Sequence, residues 1–173
     1  MPAVQPARLK QQAALLAQHF EDPPAFLRSL YHLLDFYADR THRPGQSGEP
    51  PSLLQAYNVP APVIRLLLQT LGPLAEENMA PALILCDTLW KEPYLEARQL
   101  AVGMLGRLPV PPSQPILNRV QRWVEGAEDQ RLVDFLLDTG LAGLRRRQPE
   151  VIVDFIDLWL SDRNTKRQEL GLR

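Results

Sequence analysis

The sequence predicts an all-α protein, a superhelical solenoid of stacked helical hairpins, and three observations carry that prediction. Apolar residues recur every three or four positions through most of the chain. No segment shows the sustained alternation of Val, Ile and Thr between hairpin turns that marks strands. A motif of one arginine followed by an apolar run returns at intervals of about one helical hairpin.

Taken in order, Pro6–Phe20 places Leu9, Ala13, Leu16 and Phe20 on one stripe. Asp22 is placed to cap a second helix, with Pro23 and Pro24 in its first turn, where a missing N–H costs nothing. That helix is expected to run to about Arg40 with Phe26, Leu30, Leu33, Leu34 and Tyr37 inward. The polar, Pro- and Gly-rich stretch 41–51 (THRPGQSGEPP) reads as a flexible loop between this N-terminal pair, 1–40, and the repeats, 52–173. Further helices are expected at Ser52–Tyr57, Pro60–Leu71, Met79–Lys91, Tyr94–Leu108, Ser113–Glu125, Asp129–Arg147, Pro149–Leu160 and Thr165–Arg173. Gly140 and Gly143 are placed to break the long one. The last helix stops before completing its repeat. That predicts either a truncated chain or an apolar end covered by a second copy, a homodimer.

Composition narrows the function classes. A chain of 173 residues with 45% hydrophobic and 23% charged residues suits a single folded domain. Its 17 prolines and nine glycines fit many short helices punctuated by proline. The net charge of -1 gives no global positive field to draw the protein onto DNA or anionic lipid, so nucleic-acid binding would need a local basic surface. The lone Cys86 sits among Leu83, Leu85 and Leu89, so it reads as a small buried side chain and allows no disulfide within the chain. With no secretory pattern in Met1–Lys10 and no apolar run near the ~18 residues of a membrane span, the expected location is the cytoplasm, away from membranes.

The repeat is carried by VIRLLLQTL from Val63, EARQLAVGML from Glu96, DQRLVDFLL from Asp129 and TKRQELGL from Thr165. Their arginines, Arg65, Arg98, Arg131 and Arg167, are spaced by 33, 33 and 36 residues, one helical hairpin per unit. Three residues after each stand Leu68, Ala101, Asp134 and Leu170. An aspartate at a position otherwise given to packing breaks the local rule, as functional residues often do. Asp134 therefore has three readings: an ion pair with Arg98 or Arg167, a chemical role, or a solvated surface position.

Several stretches in the same order resemble one family. LEARQLAVGMLGRL (Leu95–Leu108) resembles the second helix of a HEAT repeat, of the armadillo-type fold class. DTLWKEPYLEARQLAVGML (Asp87–Leu105), RLVDFLLDTGLAGLRRRQPEVI (Arg131–Ile152) and FIDLWLSDRN (Phe155–Asn164) resemble successive segments of the AlkD-type DNA alkylation repair proteins. AYNVPAPVIRLLL (Ala56–Leu68) fits an earlier element less closely, and the likeness covers about residues 52–173. The resemblance implies a glycosylase-like protein that holds double-stranded DNA in a concave groove and hydrolyses the N-glycosidic bond of alkylated purines, with no metal and no cofactor. In that family an aspartate of a Val-Asp pair stabilises positive charge on the sugar, and it falls on Asp134. The family's tryptophan four residues earlier falls on Gln130, which has no π-face to set against a cationic purine. The family's next DNA-contacting arginine falls near Glu169, two residues from Arg167, and its later tryptophan has no counterpart. The base-excision residues are thus only partly kept; a DNA binder built on the repeat is expected to present a stripe of Arg65, Arg98, Arg131 and Arg167 along these helices, with Gln130 and Arg131 beside Asp134 near the lesion.

Other candidates have plainer readings. Arg145, Arg146 and Arg147 can contact phosphate, but cations also belong at a helix C-terminus, and Pro149 follows. Trp90, Trp123 and Trp159 close apolar stripes and read as packing residues. His19, His32 and His42 lack the spacing and company of a metal site. Two functions remain in view: a DNA-binding repair protein, and a non-enzymatic adaptor whose concave surface takes a peptide or protein. A stripe of available arginines along one row of helices would favour the first, and arginines tied up by their neighbours the second.

Overall fold

A computed structural model of the chain describes residues 4–41, 53–127 and 129–161. Among them the protein is all-α, with no strand longer than a single bridge. The helices are α1 (Pro6–Ala17), α2 (Pro23–Tyr37), α3 (Ala61–Glu77), α4 (Met79–Trp90), α5 (Leu95–Leu105), α6 (Gln114–Gly126), α7 (Gln130–Phe135), α8 (Ala142–Arg147) and α9 (Pro149–Leu160). Between α7 and α8 the chain adopts a π-helical stretch, Leu136–Gly140. Residues 42–51 of the loop expected at 41–51, His42, Arg167 and the expected helix Thr165–Arg173 lie outside the described residues.

The N-terminal pair forms as its sequence requires. Asp22 caps α2, its Oδ1 accepting from the Ala25 N–H at 3.1 Å, and Pro23 occupies the first turn. The inward stripes of α1 and α2 are buried as expected, Phe26, Leu30 and Leu34 completely.

Neighbour relations run through alternate helices. α1 packs on α3, α3 on α5, and α5 on the π-helical stretch that continues α7; on the other side α2 packs on α4. α4 and α6 are joined by a parallel stack of Trp90 on Trp123, with ring centroids 4.5 Å apart, and by Arg119, whose guanidinium meets Asp87 at 2.7 Å. Two rows of helices sharing one apolar interior are what hairpins need if each buries its stripe only by lying against the next. α5 sits between α3 and the π-helical stretch and is buried from Glu96 to Leu105 apart from Arg98 and Gln99. Cys86 is likewise fully buried, and that burial pushes its thiol pKa up.

Two expectations need correction. The helix expected over Ser52–Tyr57 is not formed by its described residues: Leu53–Pro60 is non-helical, bent at Leu53 and Leu54 and bridged at Gln55. Gln55 there makes a parallel bridge to the turn before α5, donating to the Pro93 carbonyl at 3.1 Å and accepting from the Leu95 N–H at 2.8 Å. Two backbone bonds to that turn, together with the carboxylates described below, outweigh the local apolar spacing. The helix expected to end at Leu71 runs on through Pro73 to Glu77. Proline removes one helical hydrogen bond and loosens the turn before it; there the Leu68 carbonyl also accepts from Arg107 Nη1 at 2.7 Å. The guanidinium occupies the space a Cβ at residue 72 would need, so Gly72 admits it. The long helix over 129–147 is divided, as Gly140 and Gly143 suggested. The break begins as a wider π turn, because Gly106 at the end of α5 brings its backbone against the Thr139 carbonyl.

Candidate functional site

The repeat arginines occupy one row. Arg65 lies in α3, Arg98 in α5 and Arg131 in α7, and these helices neighbour one another in that order through the π-helical continuation of α7. Arg65 and Arg131 are exposed; Arg98 is half-buried. The Arg98 Nε donates to the Glu92 carbonyl at 2.9 Å, and its guanidinium lies 5.4 Å from the Trp90 ring centroid. Arg98 therefore braces the turn between α4 and α5, while the other two side chains reach solvent.

Asp134 is exposed on α7, not packed inward like Ala101 at the matching position of α5. Its Oδ1 accepts from Gln130 Nε2 at 3.1 Å, one helical turn earlier. Gln130, Arg131 and Asp134 thus form one exposed patch on a single helix. The residue standing where the resemblance expects an aromatic ring is a hydrogen-bond donor to the carboxylate.

Beside this patch a recess of about 250 Å³ opens between α5 and α7, lined by Leu95, Gln99, Asp129, Arg131, Leu132 and Phe135. Asp129 caps α7, its Oδ1 accepting from the Arg131 N–H at 3.0 Å. Its Oδ2 accepts from the Leu53 N–H at 3.3 Å. A second buried carboxylate, Glu96, accepts from the N–H groups of Tyr57 at 3.2 Å and Asn58 at 2.7 Å. Asn58 has a left-handed φ of 54°, which turns both donors toward that carboxylate. Two buried acids from α5 and the start of α7 thus hold the 53–60 segment against the same row.

Tyr31, Tyr57 and Tyr94 meet behind this segment, with centroids 4.7–6.4 Å apart, and the Tyr31 hydroxyl donates to Glu92. Burial, then the bond to Glu92, raise the Tyr31 pKa strongly. Burial, then the bond to Tyr94, push Tyr57 up to about 12. Sequence reasoning missed this cluster, because three tyrosines on α2, a non-helical segment and a turn share no spacing. It also missed Glu96, since an acid in a helix's first turn is an ordinary placement.

The arginine run at the end of α8 lies where cations oppose the helix dipole. Arg145 donates to the Leu137 carbonyl at 2.7 Å and Arg146 to the Ala142 carbonyl at 3.2 Å, and all three arginines lie in the helix's last turn. Trp90, Trp123 and Trp159 are buried, as packing residues should be. Among the described residues no cluster of three or more His, Cys, Asp or Glu is arranged to hold a metal, and no helix is long and apolar enough to cross a membrane.

These features define an all-α protein of paired helices that presents an acid, an amide and two arginines from one of its rows. A family model described as DNA alkylation repair enzyme matches residues 40–169, three quarters of the chain, and the protein belongs to that family. No curated protein and no solved structure matched it.

Proposed function

We propose that this protein binds double-stranded DNA along the α3–α5–α7 row, with Arg65 and Arg131 on phosphates and Asp134 facing the sugar of an alkylated nucleotide. The observation that carries this reading is the placement of the repeat arginines on successive helices of one row, two of them exposed, beside an exposed aspartate in a chain of a DNA alkylation repair family. Arginines on phosphates supply affinity and fix register, whatever the sequence. Arg167 would extend the stripe in the next repeat.

A carboxylate at Asp134 would oppose the positive charge that develops on the sugar as the glycosidic bond lengthens. The bonding pair would leave with the cationic base, which departs neutral, and water would add to the sugar carbon. Gln130 supplies no π-face, and it donates to the oxygen that would face the sugar. Binding is therefore the main activity in this reading, with slow excision.

The adaptor reading draws on Arg98, which is held at the α4–α5 turn. A labelled duplex followed by fluorescence anisotropy across a salt series separates the two. Arg65→Ala and Arg131→Ala should each weaken binding and reduce the log–log salt slope by about one. Asp134→Asn should leave binding intact and remove whatever release of methylated purine the wild type shows. Absence of duplex binding at low salt sinks the DNA reading.

A further inference from the structure

Two exposed apolar faces, one on the first hairpin and one on α9, carry opposite charge. The first is a groove of about 330 Å³ between α1 and α2, with Leu15, Leu16, Leu33 and Phe36 as its apolar lining. Leu15 is 53% exposed and Phe36 39%. No acid lines the groove: its polar side chains include His19 and His32, and the Arg8 guanidinium lies 4.2 Å from the centroid of the Phe36 ring. α1 contains no acid, and the one in α2, Asp35, is paired with Arg40 at 2.9 Å. The second face is the outer side of α9. Val153, half-buried Ile156 and Leu160 follow one another there at helical spacing, and Val153 is 56% exposed. Beside them Glu150, Asp154 and Asp157 are all exposed, and α9 has no basic residue.

We propose that the α1–α2 groove of one copy takes α9 of a second copy, so that the protein self-associates through two different surfaces. Val153 and Leu160 enter the groove over Leu15 and Phe36, and the acids beside them face Arg8 and the two histidines. Exposed apolar patches rimmed by polar groups mark protein contacts, and opposite signs on the two faces select this pairing over the others. An α9-to-α9 contact would set Glu150, Asp154 and Asp157 against the same three acids, and a groove-to-groove contact would bring two basic rims together. A contact between unlike surfaces is heterologous: a copy that has bound one neighbour still offers its other face to the next. Both faces are small, so the association is weak and depends on concentration. The inference is independent of DNA binding and uses none of Arg65, Arg131 and Asp134.

The test is sedimentation velocity of the full chain across a concentration series, with variants at exposed positions. The weight-average mass of the wild type should rise with concentration. Leu15→Glu spoils the groove and Val153→Glu spoils α9, so each alone should stay monomeric. Mixed in equal amounts the two should form a dimer and nothing larger, because one keeps its α9 and the other its groove. Arg8→Glu should weaken self-association about tenfold. Both apolar positions are open to solvent, so the variants should melt with the wild type. A wild type that stays monomeric overturns the proposal and leaves the α9 face to residues 162–173 or to another protein. Self-association of Leu15→Glu alone overturns it in favour of a symmetric contact. A mixture that stays monomeric while the wild type associates overturns it as well.

Discussion

Glu96→Ala tests whether a buried acid holds the 53–60 segment against the helical row. Glu96 is 4% exposed and accepts from two backbone N–H groups, those of Tyr57 and Asn58. A hydrogen bond to a charged acceptor contributes about 1.5–3 kcal/mol, and the donors left behind in a half-buried site add a desolvation cost. The two bonds share one side chain and one turn, so their contributions do not add fully; a total near ~3 kcal/mol is expected. For a chain of this length that is a fall in Tm of roughly 6–12 °C. Glu96→Gln keeps the shape and one acceptor but turns an N–H toward a donor, so it should lose about half as much. Melts followed by far-UV circular dichroism give the stability, and hydrogen exchange at the Tyr57 and Asn58 amides locates the loss. If Glu96→Ala melts within about 2 °C of wild type with both amides still protected, the segment is held by something else.

Gly106→Ala should cost ~2–3 kcal/mol, because a Cβ there runs into the Thr139 carbonyl, a backbone atom that cannot step aside. Gly126→Ala, where nothing lies within 4 Å, should stay within about 0.5 kcal/mol by the same denaturation assay. The raised phenol pKa values predict alkaline sensitivity with a definite sign. Tyr57 ionises at about 12 in the fold and at the ordinary 10.0 when unfolded, so its stabilisation is complete below pH 10 and is lost as pH rises toward 12. Tyr31 adds to this in the same direction; titration of both phenols near 10 in native protein, read by tyrosinate absorbance, would refute the cluster. Gln130→Trp sits on an exposed position and removes the donor from Asp134 Oδ1, so it should fold normally and raise release of methylated purine from duplex DNA; an unchanged rate counts against Asp134 as the excision carboxylate.

Much of the architecture was legible because apolar spacing is a direct record of which helix face is buried. The α1 and α2 stripes and the Asp22 cap could be read off one residue at a time. The 33-residue spacing of Arg65, Arg98 and Arg131 falls on α3, α5 and α7, of which α3 packs on α5 and α5 on the π-helical stretch after α7. What failed had long-range causes. Leu53–Tyr57 looks helical locally but is claimed by Pro93, Leu95, Glu96 and Asp129, whose pull no window of neighbouring residues contains. The helix expected to end at Leu71 continues through Pro73, because packing of α3 between α1 and α5 outweighs the lost hydrogen bond. At the site, the sequence singled out Asp134, Gln130 and Arg131 together but gave no hint of Gln99 and Phe135, which reach the recess from different helices.

The break in the repeat at Asp134 acquires a physical meaning from its neighbours. Ala101 holds the matching position in α5, where helices press from both sides, and it is wholly buried; Leu68 in α3 is half-buried. In α7 the same register position is open to solvent, so packing there demands nothing of the side chain. An acid at Asp134 is therefore not explained by the core, nor does it burden the fold with a buried charge. Exchange of an exposed carboxylate for its amide should change stability by no more than about 0.5 kcal/mol. Any effect of Asp134→Asn on damaged DNA would then belong to the chemistry at the patch rather than to the scaffold. That makes this position a sharper probe of function than the buried acids Glu96 and Asp129, whose loss would disturb the row itself.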